Sequence, residues 1–232
     1  MSWMKHYASK FEAFKSLIGN TSPTIIEIGA HFGEDSARFA EAFPEASIFC
    51  FEPDPRCVKV FKKYVKHSNV KLVELALSST AGEADFFRSF DDQLVESVPD
   101  KYDWISIEDY NDNKLSNSGS SSLKPGYRNN LDKIKVKTER FDTWYRGSKL
   151  RDIDLVWMDV QGAEKDVIEG FGDILEKVNF IWMEYGESEY SGSMSREETI
   201  SLLRQKGFKF APSHSSPATL PQGDLLFWRE NE

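Results

Sequence analysis

The sequence contains little cysteine and no long apolar run. Its two cysteines, Cys50 and Cys57, have the spacing of neither a zinc knuckle nor a disulfide framework, so we expect a reducing compartment, the cytoplasm. No apolar segment reaches the roughly 18–20 residues that span a bilayer. Residues 1–20 mix Lys, His and Glu with aromatic side chains and lack the apolar centre of a signal peptide. These absences predict a cytoplasmic protein without a membrane partner.

Positive charge is also scarce. The chain has 29 Lys and Arg residues against 38 Asp and Glu residues, which gives a net charge of −9. Because binding to nucleic-acid phosphates needs clustered basic residues, we expect no nucleic-acid partner. The length of 232 residues is enough for one sizeable core, and a single domain over residues 1–232 is the simplest expectation.

Apolar residues are grouped in short segments whose spacing alternates between that of strands and that of helices. The alternation continues to about residue 206, and two short strand-like segments follow. This order predicts an α/β fold with a mostly parallel sheet and an antiparallel C-terminal hairpin. The predicted strands cover residues 24–29, 47–51, 70–77, 82–87, 134–141, 154–160, 180–185, 207–210 and 224–228.

Two helices carry additional sequence signals. Phe11, Phe14 and Leu17 have helical spacing, which predicts an amphipathic helix within residues 1–20. That helix could pack on its own sheet or on a partner. Near the other end, Ser195 and Glu198 have the spacing of a capping box, so we expect a helix to begin there.

Residues 88–132 interrupt the alternation. Asp, Asn, Ser and Gly dominate this segment, and its centre at residues 116–122 is rich in serine. A stretch of this length inside a compact domain is typical of a lid or substrate-binding loop. A partly disordered surface insertion is the alternative, and the sequence leaves both open.

A glycine-containing turn follows the first predicted strand. Residues 27–33, EIGAHFG, place Gly29 and Gly33 between a strand and a helix, and Glu52 ends the next strand about 19 residues after Gly33. In open α/β sheets such a turn lets the backbone approach a nucleotide-type ligand, while the distant carboxylate accepts hydrogen bonds from ribose hydroxyls. A dinucleotide-binding fold favours GxGxxG at this turn, and the chain lacks that pattern.

These segments resemble the FkbM-type methyltransferases, a family with the class I S-adenosylmethionine-dependent fold. The resemblance covers about residues 24–185 and includes residues 51–55 (FEPDP), 74–78 (ELALS) and 158–164 (MDVQGAE). It implies a Rossmann-like, seven-stranded sheet with helices on both faces, and methyl transfer from S-adenosylmethionine to a hydroxyl oxygen. His31 stands where many methyltransferases keep glycine, and Gln161 stands where an acidic residue is common.

The resemblance also implies which residues contact the cofactor. Glu52, with Pro53 beside it, would hold the ribose hydroxyls through charge-assisted hydrogen bonds. The end of the third strand would border the adenine, and the glycine turn would face the methionine moiety, whose ammonium group Glu27 could help to hold. The implied cofactor-binding residues are Glu27, Gly29, Ala30, His31, Gly33, Glu52, Pro53, Ala76, Leu77, Ser78 and Asp159.

Asp159, Glu184 and His31 are the candidate catalytic residues. Asp159 follows a buried-type strand, at the sheet edge where open α/β folds place ligands. It could take a proton from an acceptor hydroxyl if burial raises its pKa, or it could contact the cofactor's amino group. Glu184 ends the next predicted strand, so the two carboxylates could bind a divalent metal ion. His31 could act as a base or line the cofactor pocket.

The sequence thus predicts an S-adenosylmethionine-dependent methyltransferase that acts on a hydroxyl of a small molecule or glycan. Two alternatives are open at this point. One is a non-catalytic accessory protein that keeps the fold and binds the cofactor. The other is a nicotinamide-dependent oxidoreductase, which the missing GxGxxG turn disfavours. The sequence makes no prediction of the oligomeric state.

Overall fold

The computed structural model describes residues 11–126, 131–186 and 190–230. Within them, helices and strands alternate as the apolar pattern predicts. The strands are β1 (Thr24–Ile28), β2 (Ser47–Phe51), β3 (Val70–Val73), β4 (Ala76–Leu77), β5 (Gly82–Ser89), β6 (Leu131–Glu139), β7 (Ile153–Met158), β8 (Val178–Gly186), β9 (Lys209–Phe210) and β10 (Gln222–Trp228). The helices are α1 (residues 11–18), α2 (Glu34–Ala42), α3 (Pro55–Tyr64), α4 (Ile107–Asp112), α5 (Phe141–Gly147), α6 (Glu164–Phe171) and α7 (Arg196–Gln205).

The main sheet has seven strands in the order β3-β2-β1-β7-β8-β10-β9. Strands β3, β2, β1, β7 and β8 pair in parallel, whereas β10 runs antiparallel to both β8 and β9. The predicted mostly parallel sheet with an antiparallel C-terminal hairpin is therefore confirmed. Because parallel strands end at one edge, the residues after β1, β2 and β7 meet there.

Helices cover both faces of the main sheet, as predicted. Side chains alternate along each strand, so Ile26 and Val156 pack toward α5, α6 and α7, whereas Ile25 and Leu155 pack toward α1, α2 and α3. Each face thus forms its own apolar core. These cores fix the height and orientation of the strand ends that carry the polar residues discussed below.

The described part of the N-terminal helix packs on the chain's own sheet. Residues 11–18 are helical, and the Phe11 ring stacks on Trp157 with centroids 6.0 Å apart. Phe14 meets the same indole edge-on at 5.8 Å. Residues 1–10, which include the start of the predicted helix, lie outside the described residues. The capping box at α7 is confirmed, because Ser195 Oγ accepts from the Glu198 amide at 3.2 Å and Glu198 accepts from the Ser195 amide at 2.8 Å.

The prediction of one strand over residues 70–77 is wrong. The amide of Leu75 donates to the Val73 carbonyl at 3.0 Å, and this tight turn takes the chain out of the main sheet. Ala76–Leu77 then pairs with β6 in a separate sheet of three strands, ordered β4-β6-β5. This small sheet places apolar residues beside the end of β2.

Residues 88–132 contain ordered structure in their described part. The first and last of them belong to β5 and β6, and between these strands lie α4 and the 3₁₀ turns Asp100–Tyr102 and Ser118–Ser120. Tyr102 and Tyr110 are buried against Phe32 and Cys57 in a local apolar cluster. We call residues 90–126 the insert. Residues 127–130 lie outside the described residues, and among the described helices none is long and apolar enough to cross a membrane.

Gly29→Ala tests how closely the turn after β1 approaches β7. Gly29 has φ +85°, and a Cβ there would lie 1.8 Å from the Asp159 carbonyl oxygen. Left-handed strain and the clash together should lower the free energy of unfolding by roughly 3 kcal/mol or more, measured by chemical denaturation. Gly147→Ala is the control, because a Cβ at Gly147 meets nothing within 4 Å. Equal, small effects of both substitutions would contradict the close approach.

Candidate active site

The turn after β1 is held against the ends of both neighbouring strands. The amides of Gly29 and Ala30 donate to the Phe51 carbonyl at the end of β2, each at 3.0 Å. On the other side, the Asp159 amide donates to the Ile28 carbonyl at 3.0 Å. The backbone of the turn therefore lies between the two carboxyl groups that follow β2 and β7.

Glu52 is buried beside this turn. Its Oε2 accepts from the His31 amide at 2.8 Å, and its Oε1 accepts from the Asp54 amide at 2.7 Å. Burial raises the pKa of Glu52 to about 7, although these backbone donors favour the charged form. A buried carboxylate held by the backbone is a preorganised acceptor for ligand hydroxyl groups.

Glu27 lies one residue before the end of β1. It is buried and accepts a hydrogen bond from the hydroxyl of Ser36 on α2. Burial, reinforced by the nearby Asp35 carboxylate, raises the pKa of Glu27 well above its ordinary value. A positively charged ligand group beside Glu27 would favour its ionised form.

A cavity of about 550 Å³ follows this edge of the sheet. At the side of the small sheet its wall is apolar and includes Leu75 and Phe86, and at the side of β7 it includes Gln161. The serine-rich centre of the insert forms a further wall. The predicted site residues that line the cavity are Glu27, Gly29, Ala30, His31, Glu52, Pro53, Ala76, Leu77 and Asp159.

Three further predicted residues lie outside that lining. Gly33 packs under Phe61, where a Cβ would lie 2.7 Å from the ring. Ser78 is buried and its amide donates to the Glu139 carbonyl at 3.0 Å. Glu184 accepts hydrogen bonds from Gln161 and Gln222, which both line the cavity. Their positions support a structural contribution from Gly33 and Ser78, and an indirect one from Glu184.

Asp159 and Glu184 are joined by the side chain of Gln161. The Gln161 amide nitrogen donates to Asp159 Oδ1 at 2.5 Å and to Glu184 Oε2 at 2.7 Å. The other oxygen of Glu184 accepts from Gln222 Nε2 at 2.8 Å. This role of Gln161 was not predicted from the sequence, where the only signal was an amide at a position expected to be acidic.

The carboxyl pair is strongly perturbed. Burial and the adjacent Asp159 raise the pKa of Glu184 to about 10, so Glu184 is protonated at neutral pH. Asp159 is open to solvent through the cavity, yet the surrounding protein removes enough water to raise its pKa as well, while the hydrogen bond from Gln161 opposes this shift. The pair therefore carries one negative charge at neutral pH, and we place it on Asp159.

Among the residues that the structure describes, no group of three or more Asp, Glu, His or Cys side chains is arranged to hold a metal ion. The two carboxylates proposed for a divalent cation instead receive amide hydrogens from Gln161 and Gln222. Those hydrogens point at the oxygens that a cation would need. The geometry thus favours hydrogen bonding over metal binding at this pair.

Both ring nitrogens of His31 have protein partners. Nδ1 lies 3.0 Å from Glu34 Oε1, and Nε2 lies 2.8 Å from the hydroxyl oxygen of Ser118. That hydroxyl donates to the Leu115 carbonyl at 2.7 Å, so it accepts from the ring. His31 therefore links the turn to the insert, which supports the pocket-lining role over that of a base.

The strand order, the glycine turn and the acidic residue after β2 together define the class I S-adenosylmethionine-dependent methyltransferases. Residues 27–210 match the family described as the Methyltransferase FkbM domain. The chain belongs to this family, and the resemblance drawn from the sequence is confirmed. Its cofactor is S-adenosylmethionine, and the buried Glu52 with apolar Ala76 and Leu77 nearby fits the ribose and adenine of that molecule.

Curated relatives cover most of the chain. It is 33% identical over 222 residues to the 2-O-methyltransferase NoeI of Sinorhizobium fredii, with 90% of this chain and 79% of NoeI aligned. It is 26% identical over 226 residues to the methyltransferase sdnD of Sordaria araneosa, with 88% of this chain and 83% of sdnD aligned. Both relatives are thus methyltransferases of similar extent.

Solved structures share the fold at low sequence identity. A protein of Clostridium thermocellum described as an rRNA methylase aligns over 95% of both chains with 10% identity and a TM-score of 0.51. The Methanococcus jannaschii fibrillarin pre-rRNA processing protein aligns over 92% of this chain and 69% of its own, with 10% identity and a TM-score of 0.51. At this identity the likeness concerns the fold alone.

Glu184→Gln tests the protonation of the carboxyl pair. The folded state holds the Glu184 proton up to about pH 10, whereas the unfolded chain releases it near the ordinary value of 4.5. The folding stability that is present below the unfolded pKa of Glu184 is therefore lost progressively as the pH rises toward its folded pKa. Between about pH 5 and pH 9, wild type should lose stability relative to Glu184→Gln, as measured by urea denaturation. Glu176→Gln, at an exposed position, is the control. Parallel stability curves for wild type and Glu184→Gln would contradict the raised pKa.

Proposed function

We propose that the protein transfers the methyl group of S-adenosylmethionine to a hydroxyl oxygen of a small glycan or another polyhydroxylated molecule. The observation that carries this proposal is Asp159, a carboxylate that lines the cavity and has a raised pKa. A base of this kind suits an acceptor that must lose a proton. The similarity to NoeI, a 2-O-methyltransferase, supports oxygen as the methylated atom.

The cofactor residues follow the order of the strands. We assign the ribose hydroxyls to Glu52 after β2, and the adenine to the apolar wall that Ala76 and Leu77 share with Phe86. Gly29 and Ala30 would hold the methionine moiety, and Glu27 would hold its ammonium group. When bound, S-adenosylmethionine supplies an electrophilic methyl group, and the sulfur keeps the electron pair of the broken C–S bond.

The chain contributes alignment and proton transfer. Alignment of the acceptor oxygen with the methyl carbon accounts for much of the rate enhancement expected of such an enzyme. Asp159 accepts the hydroxyl proton as the new O–C bond forms. The insert supplies hydroxyl and amide groups along the cavity, including Asn117, Ser120 and Ser121. We assign these groups to the acceptor's remaining hydroxyls and regard the insert as the lid of the site.

The raised pKa values of Glu27, Glu52 and Glu184 all arise from burial of acidic groups beside one cavity. A cationic ligand relieves this cost, since opposite charge favours the ionised carboxylates. The sulfonium and ammonium groups of S-adenosylmethionine provide such charge. A cytoplasmic location remains our prediction, in keeping with the buried, unbridged Cys50 and Cys57.

Glu52→Ala tests the ribose assignment. Loss of the carboxylate removes charge-assisted hydrogen bonds, so S-adenosylmethionine should bind about 1.5–3 kcal/mol more weakly, as measured by calorimetric titration. The matched control is Glu74→Ala, which removes an exposed carboxylate paired with Lys62 near the end of β3. Unchanged affinity in a folded Glu52→Ala protein would place the ribose elsewhere.

Asp159→Asn tests the reaction itself. The wild-type protein, given S-adenosylmethionine and a panel of methyl glycosides, should form an O-methyl ether detectable by mass spectrometry. Asp159→Asn keeps the shape of the side chain but cannot accept the proton, so kcat should fall by about 10²–10⁴-fold, while S-adenosylmethionine affinity changes by less than about threefold.

Two results would contradict these assignments. Equal losses in turnover and cofactor affinity would place Asp159 on the cofactor's amino group. Methylation confined to amine or thiol acceptors in a parallel panel would overturn the proposal of a hydroxyl acceptor. Asp154→Asn is a suitable control, because Asp154 lies at the opposite end of β7 and accepts from the Thr24 amide.

A further inference from the structure

We propose that Gln161 is a positioning residue that fixes the Asp159 carboxylate for proton transfer by holding Asp159 and Glu184 on a single side-chain amide. This inference rests on the proposed function, since it assigns a role through Asp159. Three features support it, namely the anchored backbone of Gln161, the hydrogen-bond partners of its side-chain amide, and the charges around Asp159 and Glu184.

The backbone of Gln161 is anchored on two sides. Gln161 has a left-handed φ of +54° in the turn between β7 and α6. Its carbonyl accepts from the Ser122 hydroxyl of the insert at 2.7 Å. The neighbouring Gly162, with φ +92°, lies under Tyr190, and a Cβ there would be 2.5 Å from the Tyr190 Cβ. The side chain of Gln161 therefore starts from a fixed point.

The donor and acceptor groups of the Gln161 side-chain amide each have a matching partner. Its nitrogen carries two hydrogens, one for Asp159 and one for Glu184, and its oxygen accepts from the Tyr190 hydroxyl at 2.9 Å. A reversed amide would turn its oxygen toward the carboxyl pair, which has only one proton to offer at neutral pH. The contacts thus determine how the amide is oriented and, through it, how the Asp159 carboxylate is rotated.

Charge explains why an amide suits this position better than a third acid. Asp159, Asp224 and Glu164 all raise the pKa of Glu184. Asp224 also raises the pKa of Asp159, whereas the hydrogen bond with Glu184 and the nearby His31 lower it. Gln161 favours the ionised form of Asp159 without adding charge. Gln222 holds the far oxygen of Glu184, so Glu184 is kept in place as the neutral partner of an ionised Asp159.

The position of Gln161 also connects the base to the insert. Ser122 holds its carbonyl, and the Tyr190 hydroxyl that contacts its amide lies 3.1 Å from the Ser120 carbonyl. Ser120 itself lines the cavity. The orientation of Asp159 is therefore tied to the wall assigned to the acceptor.

The test measures the titration of the carboxyl pair directly. Full-length protein with ¹³C-labelled Asp and Glu side chains is titrated by NMR, and the signals of the pair are assigned with Asp159→Asn and Glu184→Gln. Gln161→Met removes both amide donors without adding charge, and Gln161→Glu replaces the amide by a carboxylate. Both variants should raise the apparent pKa of Asp159, with Gln161→Glu giving the larger increase.

Turnover with a methyl glycoside provides the second readout. Loss of the fixed orientation should lower kcat by about 10- to 100-fold and displace the acidic limb of the pH–rate profile upward, with S-adenosylmethionine affinity changed by less than about threefold. Gln205→Glu adds the same charge at an exposed site on α7 and should match wild type. If the Gln161→Glu protein does not fold, the titration and the turnover are measured on Gln161→Met alone.

A folded Gln161→Met or Gln161→Glu protein with a wild-type titration of Asp159 and a wild-type pH–rate profile would overturn the positioning role. Failure of the proposed function gives a different result. In that case methylation would be confined to amine or thiol acceptors, or Asp159→Asn would retain full turnover, while the titration of the carboxyl pair would still depend on Gln161.

Discussion

The close approach of the turn after β1 to the ends of β2 and β7 is the constraint on which the site depends. Gly29 leaves no room for a Cβ against the Asp159 carbonyl, and its amide is held by the Phe51 carbonyl. Because the backbone is this compact, Glu52 and Asp159 lie on opposite sides of a single turn. A ligand that lies across the turn can therefore meet one carboxylate with its ribose and the other near its reactive end.

Burial of acidic groups is the second organising feature. Placing Glu27, Glu52, Asp159 and Glu184 along one cavity raises the pKa of each of them, which costs stability in the free protein and favours a cationic ligand. The hydrogen bonds around Asp159 and Glu184 leave these two carboxyl groups in different protonation states. Glu184 remains neutral, and Asp159 retains the charge that proton transfer needs.

The sequence predicted the main sheet and the turn, because these depend on local patterns, and nine of the twelve predicted site residues line the cavity. Strand and helix periodicity identified β1, β2 and β7, and chain order placed Glu52 and Asp159 at their ends. The sequence did not predict the small sheet, since β4 has two residues and no periodicity of its own. It also did not predict the role of Gln161, whose contacts to Glu184 and Tyr190 depend on tertiary packing. The insert showed weak periodicity because Tyr102 and Tyr110 pack from short helical turns onto α3 and Phe32.

A crystal structure of the protein with bound S-adenosylhomocysteine tests the assignment of Glu52 and Asp159 most directly. We expect both ribose hydroxyls within about 2.5–2.7 Å of the Glu52 carboxylate, the amino-acid moiety over Gly29, and the sulfur facing a space bounded by Asp159. An amino group bonded to Asp159, or a ribose held away from Glu52, would contradict it.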